Sequence, residues 1–201
     1  ALVDAAERSG AWLLADEVYR GAERVGDAET PSFWGRSDRV VAVGSMSKAY
    51  GMPGLRIGWA VAPEALVEEI WRRHEYTTIS ATMLANHLAA IALRPDVRPR
   101  LLERTRGLIR AGYPVLEEWA VSHEGLFTIR PPDAAAITFL RYQLEIGSEE
   151  LAERIRSEQS TLVVPGAYFG VDGHLRIAFG LPHEYLSDGL ERIGSVLSAA
   201  R

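Results

Sequence analysis

Cysteine is absent from this 201-residue sequence. That excludes disulfides, thiolate metal sites and cysteine nucleophiles together, and it fits a reducing cytoplasm as the expected location. Histidine is scarce. His74, His87, His123, His174 and His183 include no i, i+4 pair with a glutamate between them, so the zinc spacing is missing and no metal is expected. No apolar run reaches about eighteen residues, so no membrane-spanning helix is expected. The opening ALVDAAERSG lacks the basic-then-apolar form of a signal peptide and has no initiator methionine, so the chain reads as a fragment or a processed piece. A formal net charge of −5 gives no reason to expect nucleic acid or an anionic membrane as partner. The one arginine-rich stretch, RPDVRPRLLERTRGLIR, is interleaved with acids and reads as a solvated helix face.

What is present suffices for a sizeable core, with 47% hydrophobic residues. Leu2 to Ser9 predicts a short helix stopped by Gly10. Three apolar runs then predict buried strands: AWLLAD ending at Asp16, RVVAVGS ending at Ser45, and RIGWAVA from Arg56 to Ala62. A polar loop with four glycines and prolines, residues 21–38, separates the first two. Pro63 opens a helix with Leu66, Val67, Ile70 and Trp71 on one apolar face, Trp71 being expected in the core, as is Trp119. Ser80 to Leu93 predicts another helix, and Pro99 opens a long amphipathic one. After Gly125 come short strands in LFTIR, AAITFLRY, TLVVPG and HLRIAFG, a helix with Ser148 as N-cap, and a closing helix carrying Leu186, Leu190, Ile193 and Leu197. The texture changes from α/β to α+β, with a boundary expected near residues 94–99, giving domains 1–94 and 95–201.

Two places carry chemistry. Asp16 closes a predicted strand, and in open α/β sheets ligands bind at the carboxyl ends of strands. Its position alone serves a cap or a ligand group equally well, and Tyr19 lies three residues on. Ser45, Ser47 and Lys48 follow the second strand, with Arg56 beyond them. Two hydroxyls, nearby N–H groups and a guanidinium can hold a phosphate. A polar turn with an exposed lysine is the plainer reading, but Gly44, Gly51, Gly54 and Gly58 argue for tight turns or a close approach to a ligand. The stretch is not a Walker A loop. A lysine amine that can form a Schiff base, an acid for a pyridinium nitrogen and a phosphate cup together match the protein's duties toward pyridoxal phosphate.

The stretch SMSKAYGMPGLRIG, Ser45 to Gly58, resembles the lysine signature S-x-S-K-x-x-G-x-x-G-x-R-x-G of fold-type I pyridoxal-phosphate enzymes, in particular the class I/II aminotransferases, with every fixed letter in register. ADEVY resembles the family's D-x-x-Y, VVPGAYFG its P-G-x-x-F-G segment and HLRIAFG its late arginine strand, so the likeness covers essentially the whole chain. The resemblance implies an incomplete aminotransferase-type large-domain sheet with helices, followed by a smaller α+β domain. It implies pyridoxal 5'-phosphate as cofactor and an amino acid and a 2-oxo acid as substrates, with a homodimer as the complete protein. By the same resemblance Lys48 carries the cofactor and moves protons, Asp16 binds the ring nitrogen and Tyr19 the ring oxygen. Ser45, Ser47 and Arg56 bind the phosphate, and Arg176 the substrate carboxylate.

The family's earlier strands, Gly-rich phosphate loop, stacking aromatic and ring-oxygen asparagine have no place in this chain, because only fifteen residues precede Asp16. The chain is therefore expected to be the C-terminal portion of a longer enzyme, weak or inactive alone, in preference to a short form that has lost its site. Its open sheet edges would need the missing part. His74 and Tyr76, in RRHEYTTIS, fall in a region that the family places near its active site. Transamination is the default activity. A lyase or cyclising synthase of secondary metabolism on the same fold, or a non-catalytic aminotransferase-like module, are the alternatives.

Overall fold

The computed structural model describes residues 1–200. The chain separates into two compact units, Ala1–Thr105 and Arg106–Arg201.

In the first unit, α1 (Leu2–Ser9) ends where Gly10 takes the left-handed conformation (φ 68°), its N–H turned back to the carbonyls of Ala6 and Glu7. Three strands follow, β1 (Leu13–Asp16), β2 (Val40–Ser45) and β3 (Gly58–Val61), side by side in that order. β1 pairs parallel with β2, Asp16 opposite Val43, and β3 returns antiparallel with Gly58 opposite Ser45. The core gathers on β2 and the turn after it: Val40, Met46 and Ala49 are fully buried. β2 is the buried strand that its sequence predicts, but its neighbours are not buried on both faces. Leu14 of β1 is 67% exposed, and all four residues of β3 are exposed.

α2 (Glu64–Thr77) forms where Pro63 predicts it, yet no residue of it is buried, and Trp71 is 58% exposed. The expected core role of Trp71 is thus corrected: the helix has an apolar face, but among the described residues that face stays exposed. α3 begins at Met83 rather than Ser80. Ile79 adopts φ 67° and Thr82 is extended, so residues 80–82 form a link. α3 (Met83–Ala92) buries Ala85, Ala89 and Ala92, spaced by four and three, against the 3-10 turn Pro53–Leu55. α4 (Arg98–Ser122) contributes its first turns to this unit.

The second unit holds the rest of α4 and an antiparallel sheet in the order β4 (Phe127–Thr128), β5 (Ile137–Tyr142), β7 (His174–Ala178), β6 (Val164–Pro165). β5 alternates, burying Thr138, Leu140 and Tyr142, as a sheet with one covered face requires. α5 (Ser148–Gln159) and α6 (His183–Ala199) pack together. Leu186, Leu190, Ile193 and Leu197 of α6 are all buried, as their spacing predicts. Trp119 is only half-buried, with its indole N–H enclosed and unpaired among the described residues. Ser148 is the first helical residue and not the expected N-cap, which is Gly147. Its N–H donates to Asp172 (2.7 Å), and its hydroxyl accepts from the Ala167 N–H (3.0 Å), which ties the helix start to the Gly166–Phe169 turn.

α4 meets β7's end so closely at Gly112 that a Cβ there would lie 1.9 Å from the Phe179 carbonyl oxygen. A Gly112→Ala change gains up to about 1 kcal/mol of helix propensity, but overpacking against rigid backbone costs about 1–3 kcal/mol or more. Net destabilisation in urea unfolding is expected, and a neutral or stabilised variant would contradict the close approach.

Candidate active site

The parallel pairing of β1 and β2 sets their carboxyl ends beside each other. At the end of β1, Asp16 Oδ1 accepts the Val18 N–H (3.1 Å), which folds the following turn. The capping role left open by the sequence is therefore filled, while Oδ2 has no partner among the described residues and the side chain stays exposed. Glu17 faces elsewhere: its carboxylate accepts the Ser32 hydroxyl (2.9 Å) and the Phe33 N–H (2.7 Å), pinning the long loop.

At the end of β2, Ser45 Oγ accepts the Ser47 N–H (2.9 Å), Met46 N–H reaches Ile57, and Gly51 N–H closes on Lys48. The Ala49 N–H donates to the Val18 carbonyl (3.3 Å), a bond that joins the Lys48 loop to the Asp16–Tyr19 turn. Met46 and Ala49 are fully buried and Tyr50 is 5% exposed, yet Lys48 among them is exposed. Its Nζ stands 5.9 Å from the centroid of the Tyr19 ring, within cation–π reach. Arg56, also exposed, holds φ 54°, a conformation that costs a side-chain-bearing residue about 1 kcal/mol or more, and donates to the Pro53 carbonyl (2.9 Å). Ser45 and Ser47 are half-buried. Asp16, Lys48 and Arg56 form no ion pair among the described residues, so charges of both signs remain available on these two neighbouring turns and the segment that follows them.

Behind this loop lies a network that the sequence reading missed. Arg98 donates to both oxygens of Glu29 (2.5 and 2.7 Å) and, through Nε, to the Tyr50 hydroxyl (3.0 Å). Arg20 adds a longer contact to Glu29 (3.6 Å), and Arg104 donates to the Tyr50 carbonyl (2.7 Å). Arg98 and Arg104 come from the stretch read as a solvated face: Arg94, Arg100 and Arg104 are exposed as expected, whereas Arg98 is half-buried and Arg106 buried, which corrects the reading at those two positions. Separations of 48 and 69 residues leave no local signal for these contacts. The hydrogen bonds that Arg98 donates hold the Glu29 carboxyl below its ordinary 4.5, and giving those bonds to Glu29 and Tyr50 keeps the Arg98 guanidinium still more firmly charged.

In the second unit, Arg176 lies mid-sheet on β7, opposite Phe139 of β5 and Val164 of β6. It is half-buried and its guanidinium makes no hydrogen bond or ion pair among the described residues, an arrangement that favours an anionic ligand. Beside it the His174 ring stacks on Phe139 (4.7 Å, 13°), and Phe169 meets Phe139 edge-on (5.9 Å). His174 thus has a packing role, as does His123 against the Trp119 carbonyl (2.7 Å). Among the described residues no cluster of His, Cys, Asp and Glu is suited to a metal ion, and no helix is long and apolar enough to cross a membrane.

Residues 1–193 match the family described as Aminotransferase class I and II. The chain is 37% identical to the capreomycidine synthase of Streptomyces vinaceus over 80% of its own length and 41% of that protein's. It is 29% identical to an aspartate aminotransferase of Streptomyces avermitilis over 98% of its length and 50% of that protein's. A crystal structure of a PLP-dependent aminotransferase from Streptococcus suis 89-1591 superposes with a TM-score of 0.90 at 30% identity, covering all of this chain and 52% of that one. The chain therefore belongs to the class I and II aminotransferase family, and it spans about half the length of the curated relatives it matches.

The Glu29 carboxyl is lowered in the fold, so its contribution is full above the unfolded-chain value and is lost as pH falls through the folded one. Glu29→Gln is expected to cost about 1–3 kcal/mol near neutrality. The gap to wild type should narrow below pH 4.5. Urea unfolding as a function of pH checks this, and a gap independent of pH would refute it.

Proposed function

We propose that the whole protein is a pyridoxal-phosphate-dependent aminotransferase, moving an amino group between an amino acid and a 2-oxo acid. The observation that carries this is Lys48: an exposed, unpaired amine on a loop whose flanks are buried, bonded through Ala49 to the Asp16–Tyr19 turn. The donor set fits the cofactor. Ser45, Ser47 and the unpaired Arg56 suit a phosphate, the free Oδ2 of Asp16 suits a ring nitrogen that carries a proton, and Tyr19 suits a ring oxygen. When bound, pyridoxal 5'-phosphate supplies a ring that accepts the electron pair released at the substrate α-carbon.

The residues act as follows. Lys48 would attach the cofactor and, with its amine free, would take the proton from the substrate α-carbon and return a proton to the product. Asp16 would keep a positive charge on the ring nitrogen through its carboxylate. Ser45, Ser47 and Arg56 fix the phosphate, so the ring cannot drift from the lysine. Arg176 binds the substrate carboxylate through two parallel hydrogen bonds, as a guanidinium can and an ammonium cannot. On the family resemblance we also assign a homodimer and a cytoplasmic location.

A second reading has its own support. Identity is 37% with a named synthase against 29% with the aspartate aminotransferase, which favours a cyclising or eliminating enzyme on the same site. Both readings share Lys48 and part at the product.

Borohydride reduction of the full-length, cofactor-treated protein should leave the adduct on Lys48, mapped by peptide mass spectrometry. Lys48→Ala should abolish it, and an adduct elsewhere, or none on a folded sample, would reject the assignment. Incubation with a panel of amino and 2-oxo acids then separates the readings: a new amino acid with its matching oxo acid marks transamination, whereas a cyclic or unsaturated product marks the second reading.

A further inference from the structure

Resting on the reading of Lys48 as the cofactor-bearing residue, we propose that Arg98 is a positioning residue for that lysine: oriented by Glu29, its guanidinium grips Tyr50 and thereby fixes where the loop presents the amine. The Glu29 carboxylate takes the Nη1 and Nη2 edge of the guanidinium end-on, which leaves Nε aimed at the Tyr50 hydroxyl. Arg104, further along α4, holds the carbonyl of the same tyrosine (2.7 Å). One helix therefore takes Tyr50 by both its side chain and its backbone.

The surroundings leave Tyr50 little freedom. Tyr50 is 5% exposed and its ring meets Trp59 edge-on at 6.2 Å, and Trp59 in turn covers Gly44, where a Cβ would lie 2.5 Å from the indole. Gly51 next to it turns with φ 62°, and a Cβ there would lie 2.8 Å from the Arg104 guanidinium. Lys48 is only two residues from Tyr50, and the Gly51 N–H bonded to its carbonyl closes the turn between them (2.9 Å). Whatever shifts Tyr50 shifts that turn, and misplacement by about 1 Å at a reacting group costs on the order of a hundredfold in rate.

The grip needs a fork. A lysine at position 98 keeps a charge for Glu29 but has no planar edge that serves a carboxylate while a separate N–H serves the tyrosine. Mere charge neutralisation would survive Arg98→Lys, whereas positioning would not. This separates the proposal from a purely structural ion pair.

The test compares wild type, Arg98→Lys and Tyr50→Phe in the full-length protein. Tyr50→Phe keeps the ring and the packing, so it remains informative if the arginine variant folds poorly. Without cofactor, amide hydrogen exchange across residues 47–52 should quicken about tenfold in both variants while the β2 amides keep their protection. With cofactor, the visible absorption of the lysine-linked form should titrate with its midpoint displaced, roughly a threefold change in the proton equilibrium. Unchanged exchange in the loop, or equal acceleration in β2, would overturn the proposal, and so would a loosened loop with an unmoved midpoint. A wild-type protein without any Lys48 adduct would instead reject the functional reading, and the exchange data would still report on the brace.

Discussion

The parallel register of β1 on β2 is the constraint on which the first unit's candidate site depends. Parallel strands end on the same side, so Asp16 and the Ser45–Lys48 segment, nearly thirty residues apart in sequence, emerge beside one another. Antiparallel pairing would have sent them to opposite ends. The turns then need only one further bond, from Ala49 N–H to the Val18 carbonyl, to become one surface. β3 adds the return leg that brings Gly58 opposite Ser45, where a Cβ would lie 3.1 Å from the Gly44 carbonyl oxygen.

Charge is divided into two populations. Behind the loop, Glu29 and Arg98 are mutually satisfied and partly withdrawn from water, with Arg104 spent on a backbone carbonyl. Such groups contribute orientation more than net stability. In front, Asp16, Lys48 and Arg56 have no ion-pair partner among the described residues. Arg176 repeats that condition in the second unit, with a stacked aromatic pair beside it. Satisfied charges that hold, beside charges with no ion-pair partner among the described residues, are the arrangement expected of a binding surface.

The strands that end at Asp16 and Ser45 and the strand that carries Arg176 were legible in the sequence because each is a short apolar stretch with a clear boundary. Most helices were legible too: the buried residues of α6 follow their periodicity residue by residue. Burial was less so. The sequence marks α2 as amphipathic, but whether Trp71 is covered depends on what packs there, which periodicity does not encode. Ser148 looked like a cap because serine prefers that position, and the competing partner, Asp172, is twenty-four residues away. The Arg98 brace is illegible for the same reason: pairing across 48 and 69 residues looks, in one dimension, like ordinary surface charge.

Arg56 carries a wider consequence. It keeps a left-handed backbone at φ 54° where glycine would sit without strain. The chain thus forgoes stability at that residue in return for a guanidinium at the end of the lysine loop. Selection for thermal robustness alone would drift toward glycine there and lose the guanidinium proposed to bind the phosphate, so on that proposal heat tolerance and ligand affinity are opposed at this one position.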